Sequence, residues 1–401
     1  LAWDSAGRDL NKIEVEASVR QELFRIEGAY VHLGGMHFRY AANMAQHGAV
    51  ILAGKHDVME DCTCECMNSS GATFSAEGLV VRRCVFRDNG QLGFGANGAH
   101  ELLFTECLVE NNNTKGFDRG WEAGGDKLVL SRGVVLERSR FLRNRGNGVW
   151  FDIGNERCEV RQCLIAENED SGIFDEISFG LQAHDNVIVA NGFASTQGAW
   201  GAQAGIAISS SPESVIERNL LVGNREGFDF REQGRTTPRI GKQGEEPVWN
   251  REEVVRHNII ALNRDAQIWG WFDVTDNRPW PAVAHEAVSR GGGSEKTKTE
   301  TAALTLEKLH LSFDENIYFS APDAHLVEWG VPWRRHKTYA SLEAFRDELG
   351  LDRGSRFLSP PFRNVNGLDF RLSSDAMADL GSSYPQGPVP GVELGSSGEH
   401  R

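Results

Sequence analysis

Basic residues are in deficit in this chain. Lys and Arg number 42 against 57 Asp and Glu, for a net charge of −15. Nucleic acids and anionic membranes are held through basic patches, so this balance argues against either partner. No apolar run approaches the roughly 20 residues needed to cross a bilayer. No signal peptide is visible, and the chain opens at Leu1 rather than Met, as a mature or trimmed form does. The seven cysteines are an odd number without metal-ligand grouping. No metal site is therefore assigned. Cys62, Cys64 and Cys66 alternate as strand residues do, and buried free thiols are expected. Helical periodicity is missing until late in the chain.

What the chain does have is a repeat. An Asn recurs five residues after a small or polar residue, with apolar residues between: Cys84 and Asn89, Cys107 and Asn112, Ser139 and Asn144, Cys163 and Asn168, Asn186 and Asn191, Asn219 and Asn224, Asn258 and Asn263. Asn43 and Asn68 extend the series toward the N-terminus. The short intervals define a coil of about two dozen residues, and the long ones are the same coil carrying an insertion. Within a coil, a strand such as Glu159–Ile165 alternates apolar and polar residues, a turn with Asn and Gly follows, and a second short strand such as Gly172–Glu176 comes next. A β-sandwich has no need of the same Asn at the same phase of every unit. A parallel β-helix does, because each coil stacks on the last and like positions form columns about 4.8 Å apart. Stacked Asn side chains bond to one another and to the turn backbone, so this column is structural.

The pattern implies an all-β solenoid of about ten coils. Residues 1–30 form an N-terminal entry and 31–275 the β-helix. Residues 276–310 form an insertion or linker loop, with a Gly-, Ser-, Lys-, Thr- and Glu-rich part at 287–302. Residues 311–385 hold the last coil and a C-terminal cap, and 386–401 a loose tail. One helix is expected in the cap, from Ser341 as N-cap to Leu349, with Leu342, Phe345 and Leu349 on one face and Gly350 ending it. Three insertions leave the coils: between Asn112 and Asn144, at Ser195–Gly201, and at Gln233–Trp249. Long solenoid loops tend to emerge on one side and form the binding face.

The runs GWEAGGDK (120–127), NGVWFDIGN (147–155) and SGIFDEISFG (171–180) resemble a bacterial family of right-handed parallel β-helix proteins, within the pectate-lyase-like, carbohydrate-active superfamily. So do TYASLEAFRDELG, SPPFRN and DFRLSSDA near the C-terminus. The resemblance covers nearly the whole chain. It implies a right-handed β-helix and an activity on carbohydrate, and through that substrate class a secreted or periplasmic location. Similar helices host polysaccharide lyases, glycoside hydrolases, epimerases and non-catalytic adhesins, so the fold leaves the reaction open. Asp175 and Lys127 depart from the pattern, which would place apolar residues there.

The phrase Gly148–Ile153 recurs at Gly172–Ile177, with Asp152 in the first copy and Glu176 in the second. With Gly116, Gly148, Gly172, Gly205 and Gly227 in one column, residues one and three after each Gly point inward. Those at two and four point outward: Trp150 and Asp152, Phe174 and Glu176, Ala207 and Ser209, Asp229 and Arg231. Asp152 and Glu176 then stand on adjacent rungs. Two carboxylates roughly 5 Å apart match the acid and nucleophile of a retaining glycosidase. Trp150 and Phe174 would offer a flat platform for a sugar face. Glu122 and Lys127 would reach over the same surface, or pair with each other and pin their loop. Trp121 and Trp200 would stack on substrate or anchor loops. Arg231 would meet an acidic sugar or Glu176, or form a surface ion pair with Asp229. Asp175 is either the buried partner of an Arg or a misassigned strand end. His184 and His257 read as structural.

A glycoside hydrolase using Asp152 and Glu176 is the leading expectation, with no cofactor. The alternatives are a polysaccharide lyase or uronate epimerase using Lys127 and Arg231, with Ca²⁺ as its ion, and a non-catalytic glycan-binding solenoid.

Overall fold

A computed structural model describes residues 7, 9–12, 14, 16–195, 203–232, 235–272, 309–331 and 335–392. Trp200 and the loop 287–302 lie outside the described residues.

Successive short strands are dealt in turn to three sheets, A, B and C, of twelve, ten and eleven strands, parallel throughout except for the antiparallel last strand of sheet A, Arg335–Tyr339. Sheet A, for example, runs through Ser70–Phe74, Leu92–Asn97, Gly124–Val129, Val149–Asp152, Ile173–Glu176, Ala204–Ser209 and Glu226–Glu232. This is a right-handed parallel β-helix, the hand that parallel crossovers take. The inward residues Val149, Phe151, Ile173, Ile206, Ile208, Phe228 and Phe230 join one core that runs the length of the solenoid. Phe rings stack along it, with Phe94 and Phe104 centroids 4.6 Å apart. Each such ring or branched aliphatic side chain, fully buried, contributes roughly 1.5–3 kcal/mol.

The spacing of five residues in the sequence is two ladders flanking a three-residue strand of sheet C. In one, Asn112 Nδ2 donates to Asn144 Oδ1 at 2.9 Å and Asn144 Nδ2 to Asn168 Oδ1 at 3.0 Å, and the series continues through Asn191, Asn224 and Asn263. Each Oδ1 also accepts the backbone N–H of the Asn before it in the ladder. The other holds Cys84, Cys107, Ser139, Cys163, Asn186, Asn219 and Asn258 at the same phase. All seven thiols are free, and all but Cys66 are buried. Toward the N-terminus the first ladder passes through Met67, whose N–H donates to Asn89 Oδ1, and not through Asn68, which sits one residue out of phase. Asn43 instead fastens Ser69 and Ser70 of the next coil. A third ladder of Ser131, Asn155, Ser178, Ser211 and Asn250 lines the turn after sheet A. Its mixed residue types hid it in the sequence.

The cap helix α1 spans Leu342–Leu349, with Ser341 Oγ accepting from Ala344 N, Gly350 left-handed at φ 74°, and Leu342, Phe345 and Leu349 buried. A second helix, α2 (Ser374–Leu380), was not legible in the sequence: it is short and buries only Leu380. Residues 386–392 are docked rather than loose. From Phe370 to Val389, the side chains of Phe370, Leu372, Leu380, Tyr384 and Val389 cover the outer apolar face of sheet C, formed by Leu142, Leu164, Val187, Leu220 and Ile259. The third insertion is an antiparallel hairpin, Arg235–Pro238 against Glu245–Val248.

Candidate active site

The outer face of sheet A is set by a column of glycines. A Cβ on Gly148 would lie 2.7 Å from the Gly172 carbonyl oxygen and 2.8 Å from Asn168 Nδ2, so the turn after the Asn ladder admits no side chain there. Gly93, Gly125, Gly172, Gly205 and Gly227 share the column. Gly116 does not. It sits in an insertion turn at φ 69°, and Gly125 holds the place expected for it. The insertion ends earlier than the sequence suggested, so Lys127 belongs to a strand of sheet A. Register pairs Leu128 with Phe151 and Val129 with Asp152, which sets Lys127 beside Trp150.

Asp152 and Glu176 stand on adjacent rungs, because Trp150 pairs with Phe174 and Phe151 with Asp175. Each carboxylate has its own cation. Lys127 Nζ lies 2.9 Å from Asp152 Oδ2. It also donates to the Trp121 carbonyl oxygen and sits 4.0 Å from the Trp150 ring centroid. Arg235 Nη1, from the hairpin, lies 2.7 Å from Glu176 Oε1. Burial, and then the neighbouring Glu176 charge, push the Asp152 pKa up, while Lys127 and Arg235 pull it back. Such a pair holds one proton to higher pH than an isolated carboxyl would.

The described family of right-handed β-helix regions matches residues 21–122 and 117–221, together half of the 401-residue chain. The chain belongs to the right-handed β-helix family. No curated protein matches it in sequence. Among solved structures, a complex of XylC with xylose superposes with a TM-score of 0.53 at 16% identity, over 77% of this chain and 54% of that one. The chain thus spans about half the length of XylC. The A-module of the mannuronan C-5 epimerase AlgE6 of Azotobacter vinelandii gives 0.46 at 12% identity, over 78% and 84% of the two chains. Pectate lyase Pel9A gives 0.43 at 12%, over 96% and 79%. Identities this low establish shared fold alone.

The remaining candidate residues of this β-helix fall differently from their sequence reading. Trp150 and Phe174 point away from the coil but are only 1% and 0% exposed; they pack on each other at 5.6 Å and against Ala204 and Ala207. They offer no platform, because an outward residue is exposed only where nothing packs over it. Trp121 is the exposed aromatic, at 54%. Glu122 does not take Lys127 as its ion-pair partner. Its carboxylate accepts from Gln46, its backbone carbonyl accepts from Gln91, and burial raises its pKa. Asp229 is fully buried, with its pKa pushed well up by burial and by Glu226, so it is no surface ion pair. The Arg231 guanidinium lies 4.9 Å from the Trp271 ring centroid, and the partner of Glu176 is Arg235. Asp175 points inward and is bonded by Ser214 Oγ at 3.3 Å rather than by an Arg; burial pushes its pKa up to about 8. His184 is held by Glu159 and Asp185, and His257 by Glu315.

Two residues that support the site escaped the sequence reading. Asp126, the inward residue after Gly125, accepts the Trp150 backbone N–H at 3.0 Å, and burial pushes its pKa well up. Its neighbours GG and K carried the only hint. Arg235 is 59 residues from Glu176 in sequence, and nothing local marks it. Among the described residues, no group of three or more His, Cys, Asp or Glu is gathered as a cation would need.

Proposed function

We propose that this protein is a carbohydrate-active enzyme, and specifically a glycoside hydrolase, acting on a poly- or oligosaccharide with Asp152 and Glu176 as its working pair. The observation that carries this reading is the placement of the two carboxyls on neighbouring rungs, with the Asp152 pKa pushed up by burial and by the Glu176 charge. Asp152 is the acid: it gives its proton to the glycosidic oxygen as the bond to the anomeric carbon breaks. Glu176, faced by the Arg235 guanidinium, is the nucleophile that attacks that carbon and forms a glycosyl ester. Asp152, now a carboxylate, takes a proton from the water that hydrolyses the ester. Rungs about 5 Å apart favour this retaining course over an inverting one. Lys127 fixes the Asp152 carboxyl, and the exposed Trp121 ring stacks on a sugar face beside it.

A second reading has its own support. Lys127 and Arg235 flank the pair as cations that suit a uronate carboxylate, as a polysaccharide lyase or uronate epimerase requires. Ca²⁺ fits that site less well, since each carboxylate already faces a resident cation. Incubation with neutral and uronate-containing polysaccharides separates the readings. New reducing ends without an unsaturated product support the hydrolase, an absorbing unsaturated product supports the lyase, and a changed uronate composition without cleavage supports the epimerase. Binding with no product supports a non-catalytic glycan-binding solenoid. A polysaccharide substrate goes with a secreted or periplasmic location.

A further inference from the structure

The docked C-terminal segment leaves a cavity of about 320 Å³ against sheet C. Leu108, Pro388, Val389 and Pro390 give it apolar walls, Cys107 and Glu106 also line it, and Arg138 and Arg140 supply the cations. The volume falls at the lower end of the range for small-molecule sites, roughly 300–1,000 Å³.

Arg140 is out of place in its column. Register sets it between Leu108 and Leu164, and the column continues as Val187, Leu220 and Ile259. It is the one charge where the apolar strip under the C-terminal segment begins. Neighbouring guanidiniums are neutralised: Arg138 by Glu137 and Glu106, and Arg143 by Glu110. Arg140 has no carboxylate partner among the described residues, and its Nε is buried with no acceptor. Gly391, at φ 77°, lies flush on the guanidinium, where a Cβ would come within 3.2 Å of Arg140 Cζ. An anion entering the cavity supplies the guanidinium with the carboxylate that the protein does not.

We infer that this cavity is a binding site for a small amphipathic carboxylate, with its apolar body between Leu108 and the Pro388–Pro390 segment and its carboxylate on Arg140. The site is separate from the acid pair and does not depend on the reaction proposed for it. Benzoate is the probe, with benzamide as a neutral ligand of nearly the same shape. The wild-type chain is expected to bind benzoate about tenfold or more tighter than benzamide, the scale of one charge-assisted contact. Arg140→Met is expected to remove that preference, and benzoate is expected to slow hydrogen exchange of the amides in residues 386–392. Equal binding of benzoate and benzamide overturns the inference, as does unchanged exchange at 386–392 or unchanged benzoate affinity in a folded Arg140→Met. If Arg140→Met does not fold, the wild-type selectivity and the exchange pattern still decide.

Discussion

Arg235 Nη1 meets Glu176 Oε1 at 2.7 Å across 59 residues of chain. The contact depends on how the hairpin sits on the coil. Arg239 lies 3.8 Å from the Phe179 ring centroid and 2.9 Å from Glu156, and Val248 packs on Ile177 and Phe179. Gly154 has no room for a side chain, because the Pro238 carbonyl oxygen lies 2.3 Å from where its Cβ would be. The hairpin is thus an arm fastened to the turn beside the acid pair, and it delivers Arg235 to Glu176.

Arg235→Met is expected to raise the Asp152 titration midpoint further, since Arg235 is one of the charges that pull it down. Turnover should fall by roughly 10–100-fold, the scale of one lost charged contact. Carboxyl titration by NMR reads the first effect without a substrate. An unmoved midpoint contradicts this role for Arg235.

The two tryptophans of the site should separate under substitution. Trp150→Ala empties a fully packed position, with an expected loss of roughly 3–5 kcal/mol in stability. Trp121→Ala, at an exposed ring, should change stability by no more than about 0.5 kcal/mol and weaken binding of the sugar by about 0.5–1.5 kcal/mol. Chemical denaturation checks the first pair of values and substrate titration the last.

Acidity should act on stability through Asp175. Its folded pKa is about 8, above the ordinary carboxylate value of 3.8 that it regains on unfolding. The folded state therefore binds the extra proton between those values, and this group destabilises the fold progressively as pH rises from about 4 through 8. Asp170, raised to about 7 by burial, acts in the same direction. Asp175→Asn should flatten the fall in melting temperature over this window. An identical pH profile in the variant would show that Asp175 is not buried in its neutral form.

The solenoid was legible because its signal is periodic. Cys163 with Asn168 and Asn186 with Asn191 announce their ladders by repetition, and the inward phase of Val149 and Phe151 followed from one glycine column. The cap helix was legible from Ser341 and Gly350, which carry its ends. Exposure was not, because burial of Trp150 depends on neighbours such as Ala204 and Ala207 that arrive from other rungs. The placement of Lys127 failed by one assumption, that Gly116 rather than Gly125 keeps the column across the first insertion. Arg235 was beyond reach, since a contact made by an insertion folding back has no local pattern. The adjacency of Asp152 and Glu176 was legible because both stand inside the repeat.

The central claim, that Asp152 and Glu176 together carry the chemistry, is tested most directly by product formation from a panel of neutral and acidic polysaccharides with the wild-type chain, Asp152→Asn and Glu176→Gln. The wild type is expected to act on at least one polysaccharide, and each amide variant to lose activity by about 100-fold or more while keeping the wild-type circular dichroism. A wild type inactive on the whole panel, or full activity in both amide variants, contradicts the account.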